Sequence, residues 1–212
     1  LKLNDREQRF PLKATCLAIY SSAVNTQRGL DRALAEDFSW CAKWEPELRA
    51  LFAAYVEAKQ RQGVLDYDDL LLYWSHLMGE PALGAEIGQR FSHVLVDEYQ
   101  DTNRLQASIL LALKPDGRGL TAVGDDAQAI YAFRGATVRN ILDYPGEFQP
   151  AARVVTLSQN YRSTQSLLDA TNAVIRLAPE RFTKDLWSQR QSDERPYIVN
   201  VSDESEQARY VA

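Results

Sequence analysis

Three short apolar segments, each followed at once by polar or acidic residues, constrain the fold of this chain most strongly. They are HVLVDE from residue 93, GLTAVGDD from residue 119, and RVVTL at 153–157, which leads into SQNYRST. A helical pattern at about 103–113 lies between the first and second segments, and another at about 164–177 follows the third. YIVNV at 197–201 is also typical of a strand. Strands that alternate with helices predict an α/β fold with a parallel sheet, whose functional groups gather at the carboxyl ends of the strands.

The residues before this region, 1–91, are predicted to be helical. Apolar residues recur there at the spacing of an amphipathic helix, as in Leu48, Leu51, Phe52 and Tyr55. A second helical stretch follows Gly63 and is expected to stop at the Gly-Glu-Pro sequence of residues 79–81. The aromatic residues of these helices are expected to pack in a core rather than to bind a ligand.

Composition excludes several classes of protein. With 212 residues, 45% of them hydrophobic and 25% charged, the chain is long enough for one or two globular domains. No apolar run approaches the roughly 20 residues that a membrane-spanning helix needs. The net charge of −5 gives no hint of a nucleic-acid partner. The chain starts at Leu1 and its single methionine is Met78, so we expect a processed chain or a piece of a longer protein.

The cysteines and histidines do not form a metal-binding pattern. Cys16 and Cys41 belong to no Cys-x-x-Cys pair, and the two histidines, His76 and His93, stand apart from them, so a zinc site is not expected. The first twenty residues lack the features of a secretory signal. These observations predict reduced thiols and a cytoplasmic location.

The first polar cluster is Asp97-Glu98, at the end of the first apolar segment. Adjacent carboxylates are often solvent-facing charges without a further role. At the end of a buried strand, however, one carboxylate can hold Mg²⁺ through water or phosphate oxygens. Its neighbour, on the opposite side of the strand end, can orient or deprotonate an attacking water.

The second cluster, at 124–136, combines an amide, two aromatic rings and a cation. Gly124 permits a tight exit from its strand, and Gln128 could detect a terminal phosphate or its attacking water. Tyr131 and Phe133, followed by Arg134, are typical of a stacking surface beside a phosphate-binding cation. A helical turn that buries both rings, with Arg134 in a structural salt bridge, explains the pattern equally well.

The third cluster, at 159–164, lies between the third apolar segment and a helix. Tyr161 offers a flat face for a base, and Arg162 offers a guanidinium fork for phosphate. Ser163 or Thr164 could cap the following helix, which by itself would account for both residues.

Taken together, the three clusters resemble a known family. VLVDEYQDTN at 94–103, AVGDDAQAIYAFRGA at 122–136 and LSQNYRST at 157–164 are similar, in order and separation, to motifs II, III and IV of the UvrD/Rep/PcrA-like superfamily 1 DNA helicases. LDYDDLL at 65–71 and KDLWS at 184–188 also resemble family segments. The resemblance extends from about residue 60 to the end.

The resemblance implies a role for individual residues in using ATP and Mg²⁺. Asp97 would coordinate Mg²⁺, and Glu98 would be the general base for hydrolysis. Gln128 and Arg162 would contact the γ-phosphate as catalytic groups, with Tyr161 stacked on the adenine. Residues along the single-stranded DNA channel would be Tyr131, Phe133 and Arg134. Phe133 departs from the family, which more often has Trp there, and its smaller ring implies weaker stacking.

The resemblance also implies an architecture, α/β with a partial RecA-like P-loop NTPase motor domain. Residues 1–91 would be a helical accessory subdomain, 92–157 the end of the first RecA-like domain, and 158–212 the start of a second. A phosphate-binding P-loop ends in Gly-Lys, a pair that does not occur in this sequence. We therefore expect an inactive fragment of an ATP-dependent 3′–5′ DNA helicase that acts on single-stranded or partially duplex DNA, without a membrane partner. A subunit of a RecB/AddA-like helicase-nuclease and a degenerate non-catalytic binding module are the alternatives.

Overall fold

The computed structural model describes residues 9–132 and 135–212. They divide into two compact units, of which the first ends at Arg153 and the second is Val154–Ala212. The helices of the first unit are α1 (Lys13–Thr26), α2 (Leu30–Asp37), α3 (Glu45–Gln62), α4 (Tyr67–Gly79), α5 (Pro81–Gln89), α6 (Arg104–Leu113) and α7 (Val138–Asp143). Its strands are β1 (Val94–Val96) and β2 (Leu120–Ala122), and the second unit holds α8 (Gln165–Ile175) and α9 (Glu204–Val211). None of the helices within the described ranges is long and apolar enough to cross a membrane.

Helices α1 to α3 enclose an apolar core, as the sequence pattern predicts. Its buried members are Cys16, Ile19, Leu30, Leu34, Cys41 and Leu48. Both cysteines are free thiols, and burial raises the pKa of each. Helix α3 ends at Gly63, whose φ of 63° is a left-handed conformation that favours glycine. The helical prediction for this part of the chain is confirmed where the structure describes it.

A second core joins α4 and α6. Met78 packs there against Ile109 and Leu113, with α5 contributing Ile87. Helix α4 begins with a capping box in which Asp66 accepts a hydrogen bond from the Asp69 N–H, and the Asp69 side chain accepts one from the Asp66 N–H. Helix α6 begins with the same arrangement, made by Asn103 and Gln106. These caps fix where both helices start, and α6 connects the two strands.

Strands β1 and β2 form a parallel pair, in the register Val94 to Leu120 and Val96 to Ala122. The prediction of a parallel sheet is confirmed for these two strands. Burial differs from the expectation, because Val94 and Val96 are half-buried whereas Leu95 is 76% exposed. The alternation of half-buried and exposed side chains places Val94 and Val96 on one face of the strand and Leu95 on the other, exposed face.

Two predicted strands, at 153–157 and 197–201, are wrong. Residues 153–157 and 197–201 lie outside any strand in the described chain, and most of their apolar side chains are largely exposed. A strand requires a partner for its backbone hydrogen bonds as well as an apolar sequence. The pairing recorded for the second unit is an isolated parallel bridge between Gln159 and Trp187. The predicted helix at 164–177 is confirmed as α8.

Candidate functional site

The loops that follow β1 and β2 lie side by side. Backbone hydrogen bonds continue beyond the strands, from the Val123 N–H to the Val96 carbonyl at 2.7 Å and from the Tyr99 N–H to the Val123 carbonyl at 3.0 Å. The first polar cluster therefore meets the second at the carboxyl edge of the sheet. Functional groups are expected at this edge of a parallel sheet.

Asp97 is an exposed carboxylate at the end of β1. Its Oδ1 accepts a hydrogen bond from the Glu98 N–H at 2.9 Å, which orients the side chain. Within the described ranges, no group of three or more His, Cys, Asp or Glu side chains could hold a metal ion. Mg²⁺ is usually bound through one or two carboxylates together with water and phosphate oxygens. The single oriented carboxylate of Asp97 therefore fits Mg²⁺ better than it fits a metal ion that takes all its ligands from the protein.

Glu98 has an unusual backbone conformation. Its φ of 52° and ψ of 40° place it in the left-handed region, which costs a non-glycine residue about 1–2 kcal/mol. Hydrogen bonds hold it there, since its carbonyl accepts from the Asp101 N–H at 2.9 Å and its Oε2 accepts from Gln100 Nε2 at 2.6 Å. A strained residue fixed in this way is common at functional sites.

Gln100 connects Glu98 to the second loop. Its side chain is 1% exposed, and its Oε1 accepts a hydrogen bond from the Asp125 N–H at 3.0 Å. Asp125 in turn accepts hydrogen bonds from the Ala127 N–H at 3.0 Å and from Gln128 Nε2 at 2.9 Å. We call Glu98, Gln100, Asp125 and Gln128 the Gln100 network. It links two predicted catalytic residues, Glu98 and Gln128, through two residues that the sequence analysis did not select.

Gly124 makes room for this network. A Cβ atom at this position would lie 2.5 Å from Gln100 Oε1 and 2.7 Å from Ile141 Cδ1. The sequence suggested that glycine permits a tight exit from the strand, but Gly124 is not among the positive-φ glycines of the described chain. The structural reason for glycine here is the close approach of the Gln100 amide.

Tyr99 anchors the loop after β1 in the protein interior. Its side chain is 2% exposed, and its ring packs edge-on against Tyr144 with centroids 5.0 Å apart. Desolvation raises the pKa of Tyr99 to about 12, with smaller contributions from Tyr144 and Glu147. The phenol therefore stays neutral in the native state under conditions that ionise a solvated tyrosine.

This pKa predicts a loss of stability in alkali. The unfolded state releases the Tyr99 proton near pH 10, whereas the native state keeps it until about pH 12, so unfolding becomes easier across that interval. Tyr99→Phe should reduce the decline by up to about 1.4 kcal/mol per pH unit. Urea unfolding of the 212-residue chain between pH 8 and pH 11 measures this. Tyr67→Phe, at a side chain that is 88% exposed, is the control and should leave the slope unchanged.

The second loop also borders an open cleft. A cavity of about 1070 Å³ is lined by Tyr131 and Gly135 from this loop, by Ser21 and Asn25 from α1, and by Arg104 from α6. Tyr131 is half-buried. The predicted DNA-contacting residues Phe133 and Arg134 lie outside the described residues.

The third cluster lies in the second unit and is held by its own hydrogen bonds. Asn160 Oδ1 accepts from the Arg162 N–H at 2.9 Å and from the Ser163 N–H at 2.7 Å. Arg190 Nη1 donates to the Arg162 carbonyl at 2.6 Å. The side chains of Tyr161 and Arg162 are exposed. Thr164 occupies the N-cap position of α8, as the sequence suggested, but its side chain makes no capping hydrogen bond.

Two features define the class of this protein. It is a mixed helix and strand protein with a small parallel sheet, and it carries oriented carboxylates and an amide at the carboxyl edge of that sheet. Residues 5–149 match the UvrD/REP helicase N-terminal domain, and residues 155–212 match the UvrD-like helicase C-terminal domain. The chain belongs to the UvrD/REP helicase family, which confirms the resemblance found in the sequence.

Several curated relatives support this assignment. The chain is 35% identical over 199 residues to the ATP-dependent DNA helicase PcrA of Leuconostoc citreum, covering 93% of this chain and 26% of the relative. It is 34% identical over 214 residues to DNA helicase II of Haemophilus influenzae, covering 100% and 28%. With DNA helicase II of Escherichia coli it is 38% identical over 168 residues, covering 79% and 23%. The chain thus spans about a quarter of the length of these relatives.

Proposed function

We propose that this chain is part of an ATP-dependent DNA helicase that moves 3′ to 5′ on single-stranded DNA. The observation that supports this most directly is the hydrogen-bonded connection between Glu98 and Gln128 at the carboxyl edge of the parallel sheet. It joins the residue proposed as general base to the residue proposed to sense the γ-phosphate. The names of the relatives, which include ATP-dependent DNA helicase, agree with it.

In the proposed hydrolysis, Glu98 accepts a proton from the attacking water. Its carboxylate is exposed and oriented by Gln100, so it can act on a water molecule in front of the sheet edge. Asp97 would hold Mg²⁺, which when bound neutralises charge on the phosphates of ATP. Gln128 is exposed at its side chain and can donate to or accept from a phosphate oxygen without adding charge.

Two further nucleotide contacts are proposed in the loop before α8. We propose that the exposed ring of Tyr161 stacks on adenine and that Arg162 contacts the γ-phosphate. The hydrogen bonds of Asn160 and Arg190 to the backbone of this loop fix the position from which both side chains extend. An arginine fork suits phosphate because it can donate two parallel hydrogen bonds.

The DNA strand is proposed to run along the cleft that Tyr131 lines, with Phe133 and Arg134 as further contacts. A half-buried tyrosine beside polar side chains is suited to stack on a base while its rim contacts the sugar and phosphate. Arg28, at the cleft, already pairs with Glu36 at 2.8 Å and Asp37 at 3.4 Å. The charge of Arg28 is therefore already compensated by these two carboxylates.

We further propose that residues 1–91 are a helical accessory subdomain, 92–157 the end of a first RecA-like domain and 158–212 the start of a second. The two family matches, to an N-terminal and a C-terminal helicase domain, support a division of this kind. Because the sequence holds no Gly-Lys pair for a P-loop, the 212 residues by themselves are proposed to be inactive.

An assay of the full-length protein and of residues 1–212 in parallel tests the proposal. We expect the full-length protein to hydrolyse ATP faster when single-stranded DNA is added, and to unwind a duplex with a 3′ single-stranded tail but not one with a 5′ tail. The isolated chain should show neither activity. A full-length protein without ATP turnover would contradict the proposal and favour a non-catalytic binding module. Unwinding from a 5′ tail would contradict the polarity, and turnover by the isolated chain would contradict its proposed inactivity.

A further inference from the structure

Gln100 is a buried polar residue whose place in the fold suggests more than packing. Its side chain is 1% exposed, and it lies two residues after Glu98 in sequence and 25 residues before Asp125. A buried amide without hydrogen bonds is costly, and this one is bonded at both ends, to Glu98 Oε2 at 2.6 Å and to the Asp125 N–H at 3.0 Å. The amide therefore spans the two loops that follow β1 and β2.

The chemistry of its partners fixes the orientation of this amide. An ionised carboxylate such as Glu98 can only accept, and a backbone N–H such as that of Asp125 can only donate. The Gln100 amide meets both requirements in one orientation, with Nε2 toward Glu98 and Oε1 toward Asp125. The reversed orientation would place oxygen against oxygen and N–H against N–H. The bonds at the two ends of the amide therefore depend on each other.

We propose that Gln100 is a positioning residue that couples the state of the Gln128 loop to the orientation of the Glu98 carboxylate. This inference rests on the proposed function, in which Glu98 is the general base. When Gln128 is drawn toward a phosphate, its bond to Asp125 changes, and Asp125 carries the backbone N–H that Gln100 accepts. Gln100 would transmit that change to Glu98 through one buried side chain that is hydrogen-bonded at both ends.

The network gives Gln100 this role because Glu98 has little other support. The carboxylate is exposed, and its backbone is in the strained left-handed region, so its direction depends on the hydrogen bonds that hold it. A general base that is displaced by about 1 Å can lose about 100-fold in rate. Because Gln100 is buried and hydrogen-bonded to Glu98, it would act through Glu98.

Gln100→Met in the full-length protein tests this role. Methionine keeps the length and volume of the side chain and removes both hydrogen bonds. We expect kcat for DNA-stimulated ATP hydrolysis to fall about 10- to 100-fold, with KM for ATP and the Kd for single-stranded DNA changed by less than about threefold. If Gln100 served only to fill space, Met would restore what Gln100→Ala loses. A kcat for Gln100→Met close to that of the wild type would overturn the proposal.

A double-variant comparison shows whether Gln100 and Gln128 act together. If Gln100 transmits the state of Gln128, Gln100→Met combined with Gln128→Ala should be little slower than the slower single variant. Losses in kcat that multiply would mean independent roles and would overturn the proposal. Gln62→Ala, at an exposed position in α3, is the matched control and should leave every parameter unchanged.

Gly124→Ala approaches the same network from the other loop, in case Gln100→Met does not fold. Its methyl group would meet Gln100 Oε1, so we expect the same loss of kcat with KM retained. A wild-type kcat in Gly124→Ala would overturn the proposal. Failure of both Gln100→Met and Gly124→Ala to fold would overturn it as well, because Gln100 would then be a structural residue. Glu98→Gln distinguishes a failure of the coupling role from a failure of the proposed function. If Glu98→Gln hydrolyses ATP, Glu98 is not the general base and the proposed function is contradicted. If Glu98→Gln is inactive while Gln100→Met is fully active, only the coupling role of Gln100 is contradicted.

Discussion

Replacing Glu98 with glutamine in the full-length protein is expected to abolish ATP turnover. Glutamine has nearly the same shape, and its Oε1 can still accept the hydrogen bond from Gln100 Nε2, so the loop after β1 should remain in place. An amide cannot take a proton from water, and the loss of a general base lowers rates by about 10²- to 10⁴-fold. We expect kcat to fall by about 10³-fold while KM for ATP changes by less than about threefold.

The appropriate control is another Glu→Gln substitution in the same unit. Glu86 lies in α5, has a side chain that is 61% exposed and pairs with Arg90 at 2.6 Å. Such surface pairs contribute about 0–1 kcal/mol, so Glu86→Gln should match the wild type in both turnover and stability. Steady-state hydrolysis with saturating single-stranded DNA measures both variants. An unchanged kcat in Glu98→Gln would remove Glu98 from the proposed chemistry.

The sequence predicted the elements of the first unit because their signals are local. The apolar segments before Asp97 and Gly124 are strands, and Asn103 and Gln106 form a capping box that starts α6. The segments at 153–157 and 197–201 have equally strong apolar patterns, yet the described structure has no strand in either. Whether an apolar segment becomes a strand depends on a partner elsewhere in the fold, which its own residues do not specify.

The same distinction separates what could be predicted of the site. Asp97 and Glu98 stand directly after β1, and Gln128 lies in the loop that follows β2. These positions, together with the family resemblance, suggested their roles. Gln100 could not be selected in this way, since its importance comes from a hydrogen bond to a backbone group 25 residues later. In the sequence, Gln100 is one of several polar residues in the segment YQDTN at 99–103. Only the structure shows that it is buried beside Tyr99. Its meaning depends on the two loops being brought together by the sheet.

A buried ion cluster in the helical part of the chain was also missed by the sequence analysis. Lys59 has a side chain that is 8% exposed, and its Nζ lies 2.8 Å from Asp66 Oδ2 and 2.7 Å from a carboxylate oxygen of Asp69. It also donates to the Tyr20 hydroxyl at 3.2 Å, and it lies 4.5 Å from the centre of the Tyr55 ring. Desolvation lowers the pKa of Lys59, but its hydrogen bonds outweigh that effect, so the pKa stands above its ordinary value.

Lys59→Met is expected to destabilise the first unit strongly. The variant keeps the apolar part of the side chain but leaves two carboxylates without their cation, one of them on a side chain that is 8% exposed. Removing one partner of a buried ion pair costs about 3–5 kcal/mol, which is a large part of the stability of a domain. Urea unfolding of the 212-residue chain at pH 7 measures the loss. Lys13→Met, at an exposed lysine in α1, is the matched control and should stay within about 0.5 kcal/mol of the wild type.

The stability of Lys59→Met at acid pH should show whether its deficit comes from uncompensated carboxylate charge or from lost packing. In the wild type, desolvation raises the pKa of Asp66, whereas its hydrogen bonds, above all the one from Lys59, lower it. The hydrogen bonds outweigh desolvation, so the pKa lies below its ordinary value. The contribution of the Lys59–Asp66 pair to the free energy of unfolding is therefore fully present above about pH 4, and it is lost as the pH falls below that value. In Lys59→Met the Asp66 carboxylate has lost this cation and gains by taking up a proton, so the deficit in stability relative to the wild type should shrink between pH 7 and about pH 4. Adding Asp69→Asn to Lys59→Met should recover part of the loss at pH 7. A deficit independent of pH, with no recovery in the double variant, would show that Lys59 stabilises the helices through packing alone.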